Sequence, residues 1–429
     1  MSLDKLKSAV ATLLDAVVTD ARQMDTKIQR LRGVALYDPT KDNFISSRKE
    51  FTAVKTQLAN VPEVQEKFGQ DKETRIALQF VYEYFSRSNQ IRLSRSALNG
   101  LWDDFVAEIE SLVWTTRAVT NLRYFHTDAF PIDLGDGVYV YGRDPAQLKK
   151  LGFNKHILQF LIDDWFGFGA SSFVLVAEST LPKTPDNFLM GDSNSGWLSC
   201  QRALGAMRLI APGDVGMSRL MFSRIARFNV GLGGITSTGA TIDNMGMQYS
   251  WDAAQHSNYA AAYTALAHLE KAGYGKAPGN LDLALRAFMS TYDRYPIRGD
   301  TTLVDAITAL EAVLGTEAEI SFKLSFRVAS LLSESDNERT ALLKTMKGFY
   351  DTRSRIVHGG RLTPKNQAIL EKVNDLRAVV RRLLLAFVSF AADETKTVPK
   401  NFFKESLDGV LLDSIEREKL RQLLSLAAA

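Results

Sequence analysis

Cysteine is almost missing from this chain. One residue, Cys200, in 429 excludes an intramolecular disulfide framework and any cysteine-rich zinc site, and it suits a reducing cytoplasm. Long apolar runs are missing too. The strongest, residues 383–392, is about half of the roughly 20 residues that cross a bilayer as a helix, so it reads as a buried core helix and no membrane partner is expected. The opening MSLDKLKSAV places acids and lysines where an export signal needs uninterrupted apolar residues, so a cytoplasmic location is expected. Metal-ligand spacing is absent as well: His126, His156, His256 and His268 are scattered, and His256 and His268 are twelve apart with no acidic partner at helical distance between them. Asp103–Asp104 and Asp163–Asp164 are adjacent pairs, and neighbours on a helix diverge. The run GLGGITSTG at 231–239 matches neither the Walker pattern nor the dinucleotide fingerprint and reads as a β-turn or hairpin loop. No metal and no cofactor are expected.

What is present is an ordinary globular composition, 45% hydrophobic and 24% charged, in a chain long enough for two or three domains. The fold class read from periodicity is mainly α with a mixed α/β middle module and a C-terminal antiparallel helical bundle. Residues 1–123 form a helical N-terminal region. Leu6, Val10, Leu13, Leu14, Val17 and Val18 stripe one helix over 3–31, and residues 62–113 carry a second helical stretch with Phe80, Val81, Tyr84, Phe85, Leu98, Leu101, Phe105 and Ile109 as core. The middle module, 124–275, contains strands at DGVYVYGRD and SSFVLVAES and helices at DPAQLKKLGF and KHILQFLIDDWF. A loop follows at LPKTPDNFLMGDSNSGW, then a helix and short strands with glycine turns. This module has no evident partner; sensing or substrate positioning is its expected role. A Gly/Pro-rich hinge at 271–280 precedes the last region, 281–428. Six helices are predicted there: 281–294, 301–314, 318–332, 337–358, 365–391 and one from 402 or 406 to 426. Asp300–Thr301 and Ser335–Asp336 offer N-caps, and Pro364 suits a helix start.

The most informative stretch lies in that region, Phe349-Tyr350-Asp351-Thr352-Arg353-Ser354-Arg355-Ile356-Val357-His358-Gly359-Gly360. Upstream, Leu342, Leu343, Met346, Phe349 and Tyr350 recur at three- and four-residue steps and face a core. Ile356 and Val357 extend the stripe. Gly359 or Gly360 supplies the positive φ that ends a helix, so His358 falls in the final turn. The partial negative charge of a helix C-terminus favours the imidazolium, while Arg353, Arg355 and Arg361 oppose it. Histidine there is suited to take and give protons, and arginine beside it to hold a phosphate. Between 339 and 382 eleven Lys or Arg (Arg339, Lys344, Lys347, Arg353, Arg355, Arg361, Lys365, Lys372, Arg377, Arg381, Arg382) face three acids, Asp351, Glu371 and Asp375. Such a surplus attracts a polyanion; its bland counterpart is a solvated pair of helix faces.

The stretch, with Arg353, Ser354 and His358 in order before glycine, resembles the catalytic motif of HEPN domains. Together with RGDTTLVDAITALEAVLG and ISFKLSFRVASLLS it resembles the Apea-like HEPN group, with Asp305, Leu310, Glu311 and Arg327 at matching positions. The likeness covers about the last third of the chain. It implies a helical endoribonuclease that needs no metal, acting through 2′-hydroxyl attack on the adjacent phosphodiester. Catalysis falls to Arg353 and His358, and substrate binding to Ser354, Arg355, Arg361, Tyr350 and Asp351. The implied partners are RNA, tRNA among the candidates, and a second copy of the chain in a homodimer through the HEPN domain. The implied setting is a bacterial defence or toxin effector. Residues five apart on a regular helix point about 140° apart, so Arg353 and His358 converge only if the helix end unwinds or a second copy contributes. Ser354 departs from the more strongly polar residue usual after the arginine, which leaves a non-catalytic RNA- or nucleotide-binding module, or a structural interaction protein, as alternatives.

Overall fold

The computed structural model describes residues 2–23, 39–88, 93–151, 172–186, 193–224, 228, 234–237, 246–273, 279–293, 298–315, 318–399 and 402–426. The chain is mostly helical with one antiparallel sheet in its middle. Among the described residues six helices come first: α1 (Ser2–Gln23), α2 (Pro39–Ser46), α3 (Lys49–Ala59), α4 (Pro62–Phe68), α5 (Glu73–Arg87) and α6 (Arg95–Glu110). The expected stripe of α1 is buried, from Leu6 to Val18, against Phe51, Val54 and Leu58 of α3 and Phe80 and Tyr84 of α5. Rings of Phe80, Phe105 and Phe228 meet with centroids 4.6–5.1 Å apart, the spacing at which tilted aromatic pairs attract.

Strand β1 (Val113–Arg123) follows at once, where the helical region was expected to run on to 123. With β3 (Ile132–Gly135), β4 (Val138–Gly142), β5 (Phe173–Pro182), β6 (Gly216–Arg224) and β7 (Gly234–Ser237) it forms a sheet in the order β3-β4-β5-β1-β6-β7. Every neighbouring pair is antiparallel. A short parallel pair joins β2 (Phe125–His126) to β8 (Tyr249–Ser250). Short helix α7 (Pro145–Lys150) lies within the expected DPAQLKKLGF helix, and all of KHILQFLIDDWF lies outside the described residues. Helix α8 (Ser193–Ile210) begins inside the segment expected to be a loop, whose residues 187–192 are outside the described set.

Ala118, Leu122, Leu175 and Ala177 turn one face of the sheet toward Cys200, Ala203, Leu204 and Met207 of α8. Helix α9 (His256–Ala272) packs beside α8. Beyond them come α10 (Leu281–Asp293), α11 (Gly299–Leu314), α12 (Ile320–Leu332), α13 (Asp336–Val357), α14 (Pro364–Leu370) and α15 (Val373–Ala392). A π-turn (Phe402–Ser406) leads to α16 (Leu407–Leu412) and α17 (Ser414–Leu423). One apolar cluster runs from the sheet through α8 and α9 to Leu384, Phe387 and Leu424, across the expected hinge at 271–280. Residues 274–278 of that hinge are outside the described set.

Two predicted helices are broken. The 365–391 helix divides at Glu371–Lys372, because α14 lies on α13 while α15 turns Leu376, Val380, Leu383, Leu384 and Phe387 into the core. The last helix divides at Asp413, whose carboxylate accepts the N–H groups of Ile415 and Glu416 and starts α17 afresh. The caps at Ser335 and Thr363 close as side-chain boxes with Glu338 and Asn366. At the start of α11 the N-cap is Arg298 rather than Asp300, and Asp300 instead accepts from the N–H of Thr301 and pairs with Arg298 at 2.9 Å.

Candidate functional site

Helix α13 builds the site. Its inner face is Met346, Phe349 and Thr352, all buried, with Leu342, Tyr350 and Ile356 half-buried against the core. Val357 does not extend that stripe; it is 51% exposed, because the helix has by then passed the end of its packing partners. Gly359 takes φ +68°. Its N–H donates to the Ile356 carbonyl at 3.1 Å and the Gly360 N–H to the Arg355 carbonyl at 2.8 Å. This is the double bond pattern of a Schellman cap, and it leaves His358 as the exposed C-cap residue of the helix.

The helix stays wound to its end, since the His358 N–H still reaches the Ser354 carbonyl at 3.1 Å. Arg353 and His358 therefore stay on different sides of it, about 140° apart by helical geometry. The two side chains also meet different surroundings. Arg353 is four-fifths buried and donates Nη2 to Glu311 Oε2 of α11 at 3.0 Å, with its guanidinium 5.9 Å from the Tyr350 ring centroid. Burial, and then the Glu311 carboxylate as charge and hydrogen-bond partner, raise the Tyr350 hydroxyl above the usual tyrosine range. Ser354 is half-buried, and Asp351, Arg355 and Arg361 are exposed around the helix tip with His358.

The basic surround is smaller than the sequence count. Arg377 is buried and lies 2.7 Å from Asp214, with its guanidinium 3.8 Å above the Tyr292 ring. Arg381 donates to the Arg208 carbonyl and the Tyr292 hydroxyl, and Arg382 to the carbonyls of Leu332 and Leu426. Arg339 pairs with Asp336 at 2.7 Å. The cations that remain outward are Lys344, Lys347, Arg355, Arg361, Lys365 and Lys372, against exposed Asp351, Glu371 and Asp375. Six less three leaves a surplus of three.

Of the positions that resemble the family outside the motif, Arg327 is internal. It is 1% exposed, grips Asp408 through Nε at 2.6 Å and Nη2 at 2.9 Å, and donates Nη1 to the carbonyls of Leu314 and Phe403. Asp305 is likewise buried. Two residues that sequence reasoning passed over are Thr352 and Asn366, joined by a buried hydrogen bond of 3.0 Å. The Thr-Pro-Lys-Asn order was a readable signal, a capping box with asparagine where glutamate or glutamine is usual.

Comparison with protein-family models, curated proteins and solved structures found no match. The reading of this site therefore rests on its own residues. Chemically, the tip of α13 offers an exposed imidazole and two exposed guanidinium groups, with a third guanidinium held by a carboxylate and tyrosine behind it.

Proposed function

We propose that the chain is a metal-independent endoribonuclease of HEPN type, acting on RNA as a homodimer in a defence or toxin system. The observation that carries this reading is the tip of α13, where His358 is presented at an exposed helix cap while Arg353 is anchored by Glu311. In the reaction the RNA 2′-hydroxyl attacks the neighbouring phosphorus, its proton passes to a base, and the 5′-oxygen leaves with a proton from an acid. The products end in 2′,3′-cyclic phosphate and 5′-hydroxyl. One imidazole cannot hold both positions at once, and the wound end of α13 keeps Arg353 away from its own His358. Two copies of the tip facing across a cleft would supply a base, an acid and guanidinium groups for the phosphate, which is the geometric reason for a dimer. Proton transfer of this kind contributes about 10²–10⁴-fold, and fixed charge on the phosphate often more.

The test is incubation of the purified protein with total RNA and tRNA in the presence of a chelator, with the fragment ends mapped. Wild type should leave 2′,3′-cyclic phosphates, and His358→Ala should fold but not cut. Equal cleavage by both proteins would falsify the reading, as would an active species that sediments as a monomer. A second reading is RNA or nucleotide binding without cleavage, and the Arg353–Glu311 pair favours it, since that carboxylate already occupies one edge of the guanidinium. In that case Arg353→Ala weakens RNA binding while no protein cuts.

A further inference from the structure

The loop that carries His358 and Arg361 is tied at both of its ends to the last turns of α13. At its start are the two cap hydrogen bonds from Gly359 and Gly360. At its other end stands Asn366, 6% exposed, on the first turn of α14. Asn366 Oδ1 accepts from the Thr363 N–H at 3.0 Å and from the Thr363 hydroxyl at 2.7 Å. Its Nδ2 donates to Thr352 Oγ1 at 3.0 Å, and that hydroxyl, fully buried, donates on to the Gly348 carbonyl at 2.9 Å. The relay from Thr363 through Asn366 and Thr352 thus ends on the backbone of α13 one turn before Thr352. The approach at Gly348 is close: a Cβ there would stand 3.2 Å from Ile369 Cδ1 of α14.

We infer that Asn366 and Thr352 are positioning residues, which set the loop of residues 358–363 and so fix His358 and Arg361 relative to Arg353. This rests on the reading of His358 as the proton-transfer residue. Three observations carry the inference. A buried asparagine is costly unless its polar atoms are paired, and here both ends of its amide are, one on the loop and one on α13. Beyond the backbone hydrogen bonds of His358, Gly359 and Gly360 to α13, the loop buries little: Arg361 and Thr363 are exposed and only Leu362 is half-buried. The residue that accepts the hydrogen bond from the Asn366 amide, Thr352, adjoins Arg353 in the chain. Without the relay, α14 could still pack through Ile369 and Leu370, but the register of the loop would be free to shift.

A displacement of about 1 Å at such a site costs on the order of 10²-fold in rate. The test uses Thr352→Val, which keeps the shape and removes the acceptor, Thr352→Ser, which keeps the hydroxyl, and Asn366→Ala. With RNA as substrate, Thr352→Val and Asn366→Ala should lower kcat by roughly 10²-fold with KM little changed, and Thr352→Ser should restore it. In parallel, the His358 imidazole signal, assigned with His358→Ala, is compared by NMR in each variant without RNA. It should shift and broaden in Thr352→Val and return in Thr352→Ser. An unmoved His358 signal in Thr352→Val overturns the positioning role whether or not the protein cuts RNA. A moved signal in a protein that never cuts RNA supports it, and the failure then belongs to the nuclease reading.

Discussion

Asp408→Ala gives the sharpest test of whether the inward-facing arginines build the molecule. Arg327, 1% exposed, has its charge answered by Asp408 through two hydrogen bonds, of 2.6 and 2.9 Å. Deleting the carboxylate leaves the guanidinium with the carbonyls of Leu314 and Phe403 alone. Removing one partner of a buried pair costs about 3–5 kcal/mol. Because the Asp408 side chain is 32% exposed, water can enter in its place, so the lower end, about 3 kcal/mol, is the better figure. Unfolding entropy is about 2.1 cal/mol/K per residue, and roughly 300 residues share this core, which makes about 0.6 kcal/mol/K and a fall in Tm of about 5 °C. Calorimetry or circular dichroism measures it. The double variant Arg327→Met with Asp408→Leu should recover most of the loss, because a buried pair is often replaceable by packed apolar groups. A fall of less than about 1 °C in Asp408→Ala would refute the reasoning, and so would a double variant less stable than either single.

Two further outcomes follow from local geometry. Gly359→Ala meets open space, with nothing within 4 Å of the added Cβ, so its cost is the left-handed backbone alone, about 1 kcal/mol, or about 2 °C in the same melts; a much larger drop would mean a steric role for the position. Cys200 is fully buried on the core-facing side of α8 and burial pushes its thiol up to about 12, so a thiol reagent at mild alkaline pH should label it only as the core opens and at once in denaturant; rapid stoichiometric labelling of the folded protein would contradict the packing.

The elements that periodicity could reach were those whose burial is one-sided. Helix α1 buries all six residues of its expected stripe, and α10 through α13 start and stop within two residues of expectation. Strands β4 and β5 were legible for the same reason, alternation in one and a continuous apolar run in the other. The break at Glu371–Lys372 was not legible, since that turn is made by packing of α14 on α13 and not by glycine or proline. Nor was the continuity of the core across 271–280, because a Gly/Pro-rich segment looks alike whether it separates two cores or crosses one. The tip of α13 lies between these cases: the glycine cap was readable from composition, while the Glu311 partner of Arg353 depends on how α11 crosses α13.

The arginines show how far the same periodic logic reaches once charge is set aside. Arg327 lies on the stripe of Leu324, Val328 and Leu331, and Arg377 on that of Val380 and Leu384, and both are buried with a carboxylate. Arg208 sits beside Leu204 and Met207 and is held by Asp293 at 2.6 and 3.1 Å. A guanidinium at an apolar position of an amphipathic helix thus implies a buried pair, because a charge is not taken out of water unanswered. Arg353 follows Met346 and Phe349 at steps of seven and four and obeys the rule, with Glu311 as its answer. His358, Arg355 and Arg361 fall off that stripe and are exposed. The division sorts these residues by exposure: Arg353 is held from inside the protein by Glu311, the other three face solvent at the helix tip, and a cationic field counted from sequence overstates itself by every arginine that the stripe draws inward.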